Sequence, residues 1–331
     1  MDILALKKIF KNFRPVKIGK ANNNISYGNW WQYKNMNEEW FTKFLRFRFP
    51  DVYDFNIRFY SVFGKRKNIN KTENKIKIFF AGENLEGIAK YEVTDKDNSY
   101  YKFFFGLNQY KDYAISDADL ALAFGDVKND KYLRFPLWIQ TCFLPTLNYD
   151  DIKNVVQVMN NAKSQAKKEA ICVNRHDVFG LRSKICDDLN ESLNISYGGA
   201  WRNNTSDLWD KYGNDKLNYM NLFKFNICPE NMDAPHYCTE KMFDSFRAGC
   251  IPIYAGALND PEPGVINKDA VIFWNLDGDN TENIKLIKRL KDDEAFYKRF
   301  MQQPKLLPSA ADYVQDRFVK LENKLKVLLE H

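Results

Sequence analysis

The second half of the chain alternates strand signals with helix signals, and this alternation constrains the fold more than any other feature. Four short runs are predicted to be strands, at 168–174, 222–228, 251–254 and 270–274. Helix patterns lie between the first three, at 181–193 and 239–248. Strands that alternate with helices favour a parallel sheet with helices on both faces. We therefore predict an α/β fold.

The length of 331 residues exceeds the size at which a single core usually stops growing, so we expect two domains with a cleft between them. The first half contains half-buried aromatic patterns, including the alternating 46–49, and predicted strands at 76–80 and 113–115. We predict Rossmann-like domains at 1–155 and 156–310. An amphipathic helix is predicted within a C-terminal segment at 311–331, because its apolar residues recur at three- and four-residue steps.

The net charge of +6 favours anionic partners such as phosphates or acidic lipids, but it is too small to require nucleic acid, which we do not expect as a partner. The six cysteines show no metal-ligand spacing, which is typical of free thiols in a reducing cytosol. The first ten residues are too short and too charged for a signal peptide or a membrane span. We expect a cytoplasmic protein; peripheral contact with the inner membrane face, through the lysines of the C-terminal helix, stays open.

The strand at 222–228 is followed by a loop and then by a helix with Thr239 as its N-cap and Gly249 just past its end. In open α/β sheets ligands bind beyond the carboxyl ends of the strands, where a helix N-terminus attracts phosphate. Lys241 in the first turn has the wrong sign for the helix dipole, which suggests another task. Glu240 can accept hydrogen bonds from a ribose. On spacing alone, a solvated first turn explains both residues equally well.

Four motifs in one order resemble those of the bacterial α-1,3/4-fucosyltransferases, glycosyltransferase family ten. The segment 237–241 reads Tyr-Cys-Thr-Glu-Lys, with Glu230-Asn231 before it and Ile-Pro-Ile-Tyr-Ala-Gly at 251–256 after it. The other three are Gly-Glu-Asn at 82–84, Tyr-Leu-Arg-Phe-Pro at 132–136, and Gly-Gly at 198–199 followed by Arg202-Asn203. The sequence departs from the family at Pro229, at 235–236 and at Ala255, which leaves the shape of this loop and the fit of the acceptor open.

The resemblance implies a GT-B-type enzyme that transfers L-fucose from GDP-β-L-fucose with inversion at the anomeric carbon. The implied acceptor is the N-acetylglucosamine or glucose of a lactosamine-type glycan, and the implied linkage is α-1,3. It assigns acceptor binding to the first domain, with Glu83 as general base, and GDP-fucose binding to the second. Arg182 and Lys241 would hold the diphosphate, and Glu240 the ribose. Asn231 and Tyr237 would line the donor, and Arg202 is a weaker donor candidate. For Arg182 the neighbouring Arg175 is the alternative.

No cofactor is expected, and a divalent metal at most stimulates the reaction, because two cations already face the diphosphate. Triplets of the form Asp-x-Asp at 95–97, 117–119 and 277–279 resemble a metal motif of other glycosyltransferases, but such triplets are common in turns. Trp30, Trp31 and Trp138 could stack on a sugar, although core packing is the commoner role. His176 and His236 are predicted to be loop residues.

Three rival functions stay open. One is a two-domain transferase that uses another nucleotide sugar. The second is a glycan- or nucleotide-binding protein without catalysis. The third is a basic protein that binds nucleic acid or a membrane surface through the C-terminal helix.

Overall fold

The computed structural model describes residues 18–31, 35–72, 74–86, 91 and 95–330. The chain divides into two compact units. The first contains Met1–Glu86, Phe105–Asn148 and Gln315–His331, and the second contains Gly87–Phe104 and Tyr149–Val314. The boundary predicted between 155 and 156 falls inside a helix at Tyr149–Asn161, which lies in the second unit.

The first unit is built on a six-stranded sheet in the order β1-β2-β3-β4-β5-β6. Its strands are β1 Gly19–Lys20, β2 Ile25–Gly28, β3 Ile57–Tyr60, β4 Ile76–Phe80, β5 Leu120–Ala123 and β6 Tyr132–Arg134. Only the β1–β2 pair is antiparallel, and the other four pairs are parallel.

The second unit contains a five-stranded parallel sheet in the order β11-β10-β9-β7-β8. Its strands are β7 Lys168–Cys172, β8 Ile195–Tyr197, β9 Phe223–Ile227, β10 Ile251–Tyr254 and β11 Ile272–Phe273. Parallel strands with helical crossovers define a Rossmann-like unit, so the predicted α/β class with two parallel-sheet domains is confirmed.

Twelve α-helices connect and cover the strands in the part of the chain that the structure describes. In order they are α1 Trp40–Arg48, α2 Lys67–Asn70, α3 Ser99–Gly106, α4 Leu137–Cys142, α5 Tyr149–Asn161, α6 Leu181–Leu189, α7 Asp207–Asp210, α8 Lys216–Met220, α9 Glu240–Ala248, α10 Thr281–Asp292, α11 Glu294–Phe300 and α12 Ala310–Leu329. Short 3-10 turns lie at Met36–Glu38, Leu107–Tyr110, Ala257–Asn259 and Lys268–Ala270. None of the described helices is long and apolar enough to cross a membrane.

Aromatic rings fill the core of the first unit. Phe41 of α1 stacks on Phe59 of β3 with ring centroids 5.0 Å apart, and Phe59 stacks on Tyr27 of β2 at 5.2 Å. Trp30 lies against the same cluster and is buried. Helix α1 extends to Arg48 with Phe49 as its C-cap, so the alternating run at 46–49 is the end of a helix and not a half-buried strand. The helix stops at Phe49, where the following proline disfavours helical geometry.

The strand predicted at 113–115 is wrong. Tyr113 and Ala114 have φ of 57° and 53°, which is left-handed geometry that no strand adopts. The ring of Tyr113 is buried, and its centroid lies 5.2 Å from that of Tyr132. A Cβ on Gly125 would lie 2.3 Å from the Tyr113 hydroxyl, so a glycine is required there. The strand of this region is β5, whose four residues are all buried.

The C-terminal helix α12 packs by its predicted apolar face. Val314, Phe318, Leu321 and Leu325 are buried. The ring of Phe318 lies 5.6 Å from that of Trp40 in α1. From Gln315 onward the helix therefore belongs to the first unit and is not a separate segment at 311–331.

Glu39 is a buried carboxylate that caps α1, and it makes stability depend on pH. Its Oε2 accepts hydrogen bonds from the Phe41 N–H at 2.7 Å and the Tyr27 hydroxyl at 2.9 Å. Burial raises the pKa of Glu39 from 4.5 to about 7. Because the folded state holds this proton more tightly than the unfolded state, the stabilising effect is present below pH 4.5 and is lost as pH rises towards 7.

We expect Glu39→Gln to remove this dependence. Between pH 4.5 and 7 the wild type should lose about 3 kcal/mol of unfolding free energy relative to the variant. Urea unfolding of both proteins at several pH values measures the difference. Glu38→Gln is the control, because Glu38 is exposed and pairs with Lys43 at 2.7 Å. A constant difference between wild type and Glu39→Gln across this range would contradict the prediction.

Candidate functional site

The loop at 228–239 starts at the carboxyl end of β9 and leads into α9. Because β9 lies between β7 and β10, the loop leaves the middle of the sheet, where open α/β sheets bind ligands. Thr239 is the N-cap of α9 and Gly249, with φ of 75°, is its C-cap, as predicted. A Cβ on Gly249 would lie 2.3 Å from the backbone of Lys163, so glycine is also required by close packing.

Glu230 is the central carboxylate of this loop and is wholly buried. It accepts hydrogen bonds from the Thr239 N–H at 2.7 Å and from the Thr239 hydroxyl at 2.7 Å. It also pairs with the Lys241 ammonium at 2.9 Å and accepts a bond from the Tyr254 hydroxyl at 3.3 Å. The start of α9 is thus capped by Glu230, since the Thr239 side chain makes no capping bond to its own helix.

The next residue, Asn231, contacts a second cation, Arg182, which lies outside the loop. Its Oδ1 accepts a hydrogen bond from Arg182 Nη2 at 2.6 Å, and the Arg182 Nη1 donates to the carbonyl oxygen of His176. Arg182 lies in the first turn of α6, which Asp177 caps by accepting the N–H groups of Arg182 at 3.1 Å and Ser183 at 2.6 Å. Two consecutive residues, Glu230 and Asn231, therefore hold Lys241 and Arg182.

Arg182 is buried, and the oxygens that accept its guanidinium hydrogen bonds belong to neutral groups, a carbonyl and an amide. Its Nε is buried without a hydrogen-bond partner among the described residues. No carboxylate among those residues forms an ion pair with it within 4.0 Å. Burial consequently lowers the pKa of Arg182, although the more distant charge of Asp177 opposes this. A buried cation without a paired anion is a strong candidate to bind one.

Electrostatic effects show that the two cations share one neighbourhood. Burial lowers the pKa of His176 to about 3, and the charges of Arg182 and Lys241 contribute to that shift. Burial also acts to lower the pKa of Lys241, but the charges of Glu230 and Glu240 outweigh it and raise the pKa overall. Arg182 acts on Lys241 in the opposite direction, as a like charge does. Lys241 therefore stays protonated beside Arg182.

Glu240 and Tyr237 adjoin the same cations. Burial acts to raise the pKa of Glu240, but the charges of Lys241 and Lys216 lower it, so its side chain is a carboxylate. Tyr237 is buried, and its charge acts on the pKa of Arg182, so the two side chains lie in one electrostatic neighbourhood. The structure thus brings together Arg182, Asn231, Tyr237, Glu240 and Lys241, five of the residues predicted from the sequence.

Arg202 differs from the other predicted donor residues. Its guanidinium forms a bidentate ion pair with Asp187 of α6, with Nη2 at 3.1 Å from Oδ2. It lies 4.7 Å from the ring centroid of Trp201. Its positive charge is therefore already neutralised by a carboxylate, unlike that of Arg182.

Glu83 lies in the first unit, in the turn that follows β4, as predicted. The side chain is half-buried. The neighbouring Asn84 is wholly buried, and its Oδ1 accepts the Glu86 N–H at 2.9 Å. Asn84 thereby fixes the turn that carries Glu83.

Sequence reasoning missed the aromatic residues of the segment 91–104. The described residues of this segment belong to the second unit, whereas the flanking residues up to Glu86 and from Phe105 belong to the first. The ring of Tyr100 stacks on the imidazole of His176, with centroids 4.2 Å apart. Tyr91 donates a hydrogen bond to the Asp233 carbonyl at 3.1 Å. Both histidines lie in loops, as predicted; His176 is packed against Tyr100, whereas His236 is exposed. No local pattern could reveal contacts over such sequence separations.

The other side chains singled out in the sequence have structural partners. Trp30 and Trp138 are buried in the core, and Trp31 packs on Trp30 with ring centroids 5.1 Å apart. The aspartates of the three Asp-x-Asp triplets have partners within the protein. Asp117 pairs with Arg66, and Asp277 pairs with Lys184. Asp95, Asp119 and Asp279 accept backbone N–H groups, from Asp97, Lys77 and Thr281 respectively. Among the described residues no group of three or more His, Cys, Asp or Glu side chains is arranged to hold a metal.

Two units built on parallel sheets are the architecture of the GT-B class of glycosyltransferase fold. Crystal structures of an α1,3-fucosyltransferase share the fold. One matches with a TM-score of 0.59 at 21% identity, and one with GDP-fucose matches with 0.56 at 20%; both cover 93% of this chain and 90% of the other.

Sequence comparison is more specific. Residues 162–320 match the family model "Glycosyltransferase family 10 (fucosyltransferase) C-term". The α-(1,3)-fucosyltransferase FucT of Helicobacter pylori is 23% identical over 70% of this chain and 50% of its own length. The α-(1,3)-fucosyltransferase B of Drosophila melanogaster is 30% identical over 38% of this chain and 30% of its own. The chain thus spans half or less of these two relatives. Residues 162–320, just under half of the chain, are thus similar to the C-terminal part of glycosyltransferase family 10.

The unpaired charge of Arg182 yields a test with a matched control. Arg182→Ala should weaken the binding of GDP by about 10- to 100-fold, because a charge-assisted hydrogen-bonding partner of the diphosphate is removed. Arg202→Ala should change the affinity less than about 3-fold, because that guanidinium already pairs with Asp187. Titration calorimetry with GDP measures both. Equal losses in the two variants would instead place Arg202 in the donor site, as the family resemblance implies.

Proposed function

We propose that this protein transfers L-fucose from GDP-β-L-fucose to a hydroxyl group of an acceptor glycan. The observation that carries the proposal is the buried Arg182, whose guanidinium has only neutral hydrogen-bond acceptors and adjoins a second cation, Lys241, at the start of α9. A diphosphate supplies the anion that this arrangement lacks. The named activities of the relatives supply the sugar and the nucleotide.

The proposed donor site assigns one task to each side chain. Arg182 and Lys241 neutralise the charge that develops on the departing GDP, which is the main electrostatic demand of the reaction. Glu240, an ionised carboxylate, accepts the hydroxyls of the ribose. Asn231 orients Arg182 through its 2.6 Å hydrogen bond, and the buried Tyr237 lines the same site.

The proposed chemistry is a single displacement with inversion at the anomeric carbon. The acceptor oxygen attacks C1 of fucose while the bond between C1 and the diphosphate oxygen breaks. The proton of the acceptor hydroxyl passes to the Glu83 carboxylate, which acts as general base. A β-linked donor then gives an α-linked product and GDP. The proposed acceptor is the N-acetylglucosamine or glucose of a lactosamine-type glycan, linked α-1,3.

The test of the function is GDP release from GDP-fucose in the presence of type 1 and type 2 disaccharides. A fucosyltransferase releases GDP only when a suitable acceptor is present. A transferase for another nucleotide sugar would be active only with a different donor in a donor panel. A binding protein without catalysis would retain GDP-fucose and release no GDP with any acceptor.

Glu83→Gln tests the base. Because a positioned base contributes about 100-fold or more to the rate, turnover should fall by at least that factor while the affinity for GDP-fucose is retained. Steady-state kinetics and donor titration measure the two quantities. Glu86→Gln is the control from the same turn, since Glu86 is held by the Tyr113 hydroxyl. Unchanged turnover in Glu83→Gln would exclude Glu83 as the base.

We also propose that turnover requires no divalent metal, because Arg182 and Lys241 can neutralise the leaving diphosphate by themselves. With excess chelator the rate of GDP release should stay within about 3-fold of its value with Mg²⁺, which allows for modest stimulation. Complete loss of turnover in chelator, restored by added metal, would contradict this.

Peripheral membrane contact stays a prediction with reduced support. The apolar face of α12 packs within the first unit and is not available to lipid. Lys320 pairs with Asp316, and the Lys324 ammonium donates to the carbonyl oxygen of Asp130. Contact with an acidic membrane would then depend on lysines that already have partners.

A further inference from the structure

We propose that Glu230 is a positioning residue that keeps Lys241 protonated and oriented for the donor diphosphate. The inference rests on the proposed function, because it concerns the same donor site. Glu230 does not take part in the reaction itself. It acts through Lys241 and through the first turn of α9.

The geometry around Glu230 leaves it a single arrangement. The carboxylate is wholly buried and receives hydrogen bonds from Thr239, Lys241 and Tyr254. Its own N–H donates to the Ala255 carbonyl at 2.9 Å, which ties the residue to the end of β10. Strand β10, the loop and α9 are thereby joined at one side chain.

Lys241 depends on this carboxylate for its charge. Glu230 is its sole ion-pair partner within 4.0 Å among the described residues. Burial and the neighbouring Arg182 both act to lower the pKa of Lys241, and Glu230 is the largest opposing influence. Without that carboxylate, Glu240 would be the remaining carboxylate whose charge raises the pKa of Lys241, and the lysine beside Arg182 would release its proton more easily.

Gly256 shows that the packing around Glu230 has no spare room. A Cβ at this position would lie 2.7 Å from the Glu230 Cγ and 2.7 Å from the Tyr254 hydroxyl. Its φ of 153° is also unfavourable for other residues. A side chain at 256 would therefore displace Glu230 without altering its charge, which makes this position a second route to the same test.

The decisive measurement is the affinity for GDP-fucose as a function of pH. The phosphates of this donor do not titrate between pH 7 and 9.5, whereas its guanine base begins to lose the N1 proton towards the upper limit. Because that loss is common to every variant, a difference between two pH profiles reflects the protein. For the wild type we expect a nearly constant dissociation constant. Glu230→Gln preserves the size of the side chain but removes its charge and replaces one accepting oxygen by an NH2 donor. In this variant we expect the dissociation constant to rise about 10-fold or more across this range as Lys241 deprotonates.

Two further variants separate positioning from a purely structural role. The double variant Glu230→Gln with Lys241→Ala should bind weakly but show no pH dependence, because the titrating group is gone. Asp244→Asn is the matched control, since Asp244 lies on the same helix and pairs with Lys216 at 3.0 Å instead. It should keep the flat profile of the wild type.

A Glu230→Gln profile parallel to that of the wild type at every pH would overturn the inference and leave Glu230 a structural residue. If Glu230→Gln does not fold, Gly256→Ala decides: a steeper pH dependence than in the wild type supports the role, and a parallel profile excludes it. Failure of the proposed function is distinguishable, because the wild type itself would then neither bind GDP-fucose nor release GDP.

Discussion

The buried carboxylate of Glu230 is the interaction on which the second unit depends. A buried carboxylate is costly unless every oxygen is satisfied, and here a backbone N–H, two hydroxyls and an ammonium satisfy it. The same bonds cap α9, fix the end of β10 and hold Lys241. Fold and site therefore share one set of contacts, so a change that relieves the buried charge also releases a cation that the donor needs.

The two cations of the site are prepared in opposite ways. Lys241 is paired with a carboxylate and keeps its charge, whereas Arg182 is held by neutral oxygens and is destabilised by burial. A diphosphate would offset the free-energy cost of burying the unpaired charge of Arg182. For Lys241 it would have to compete with the carboxylate of Glu230. Selective binding of an anion follows from Arg182, and the orientation of the anion follows from Lys241.

Much of this arrangement was readable from the sequence because it is local. Strand, loop and helix between 222 and 254 follow one another, and propensity, capping and motif spacing all indicate the same structure. Tyr113 could not be predicted, since its left-handed backbone is fixed by packing against Tyr132 and by the space above Gly125. The pairing of Arg202 with Asp187 and the stacking of Tyr100 on His176 are likewise tertiary contacts. The resemblance supplied residue types but not these partners.

The departures from the family in the donor loop are compatible with an intact site, for reasons that lie in the strand ladder. Cys228 and Glu230 donate their N–H groups to carbonyls of Ile253 and Ala255, so the N–H of the residue between them would face the opposite side, towards β7. Strand β7 ends at Cys172, which is level with Ile227 in the register. A proline at 229 therefore removes no ladder hydrogen bond.

The second departure, at 235–236, lies on the exposed part of the loop, and His236 there adopts a φ of 61°. The residues on either side are held independently. Asp233 is bound by Tyr91 and by the Leu258 N–H, and Thr239 is bound by Glu230. Because the anchors at both ends are held by hydrogen bonds and residues 235–236 are exposed, the loop can change its exposed surface without moving Lys241 or Asn231. The exposed surface of the loop can therefore differ while the geometry of the two cations stays the same.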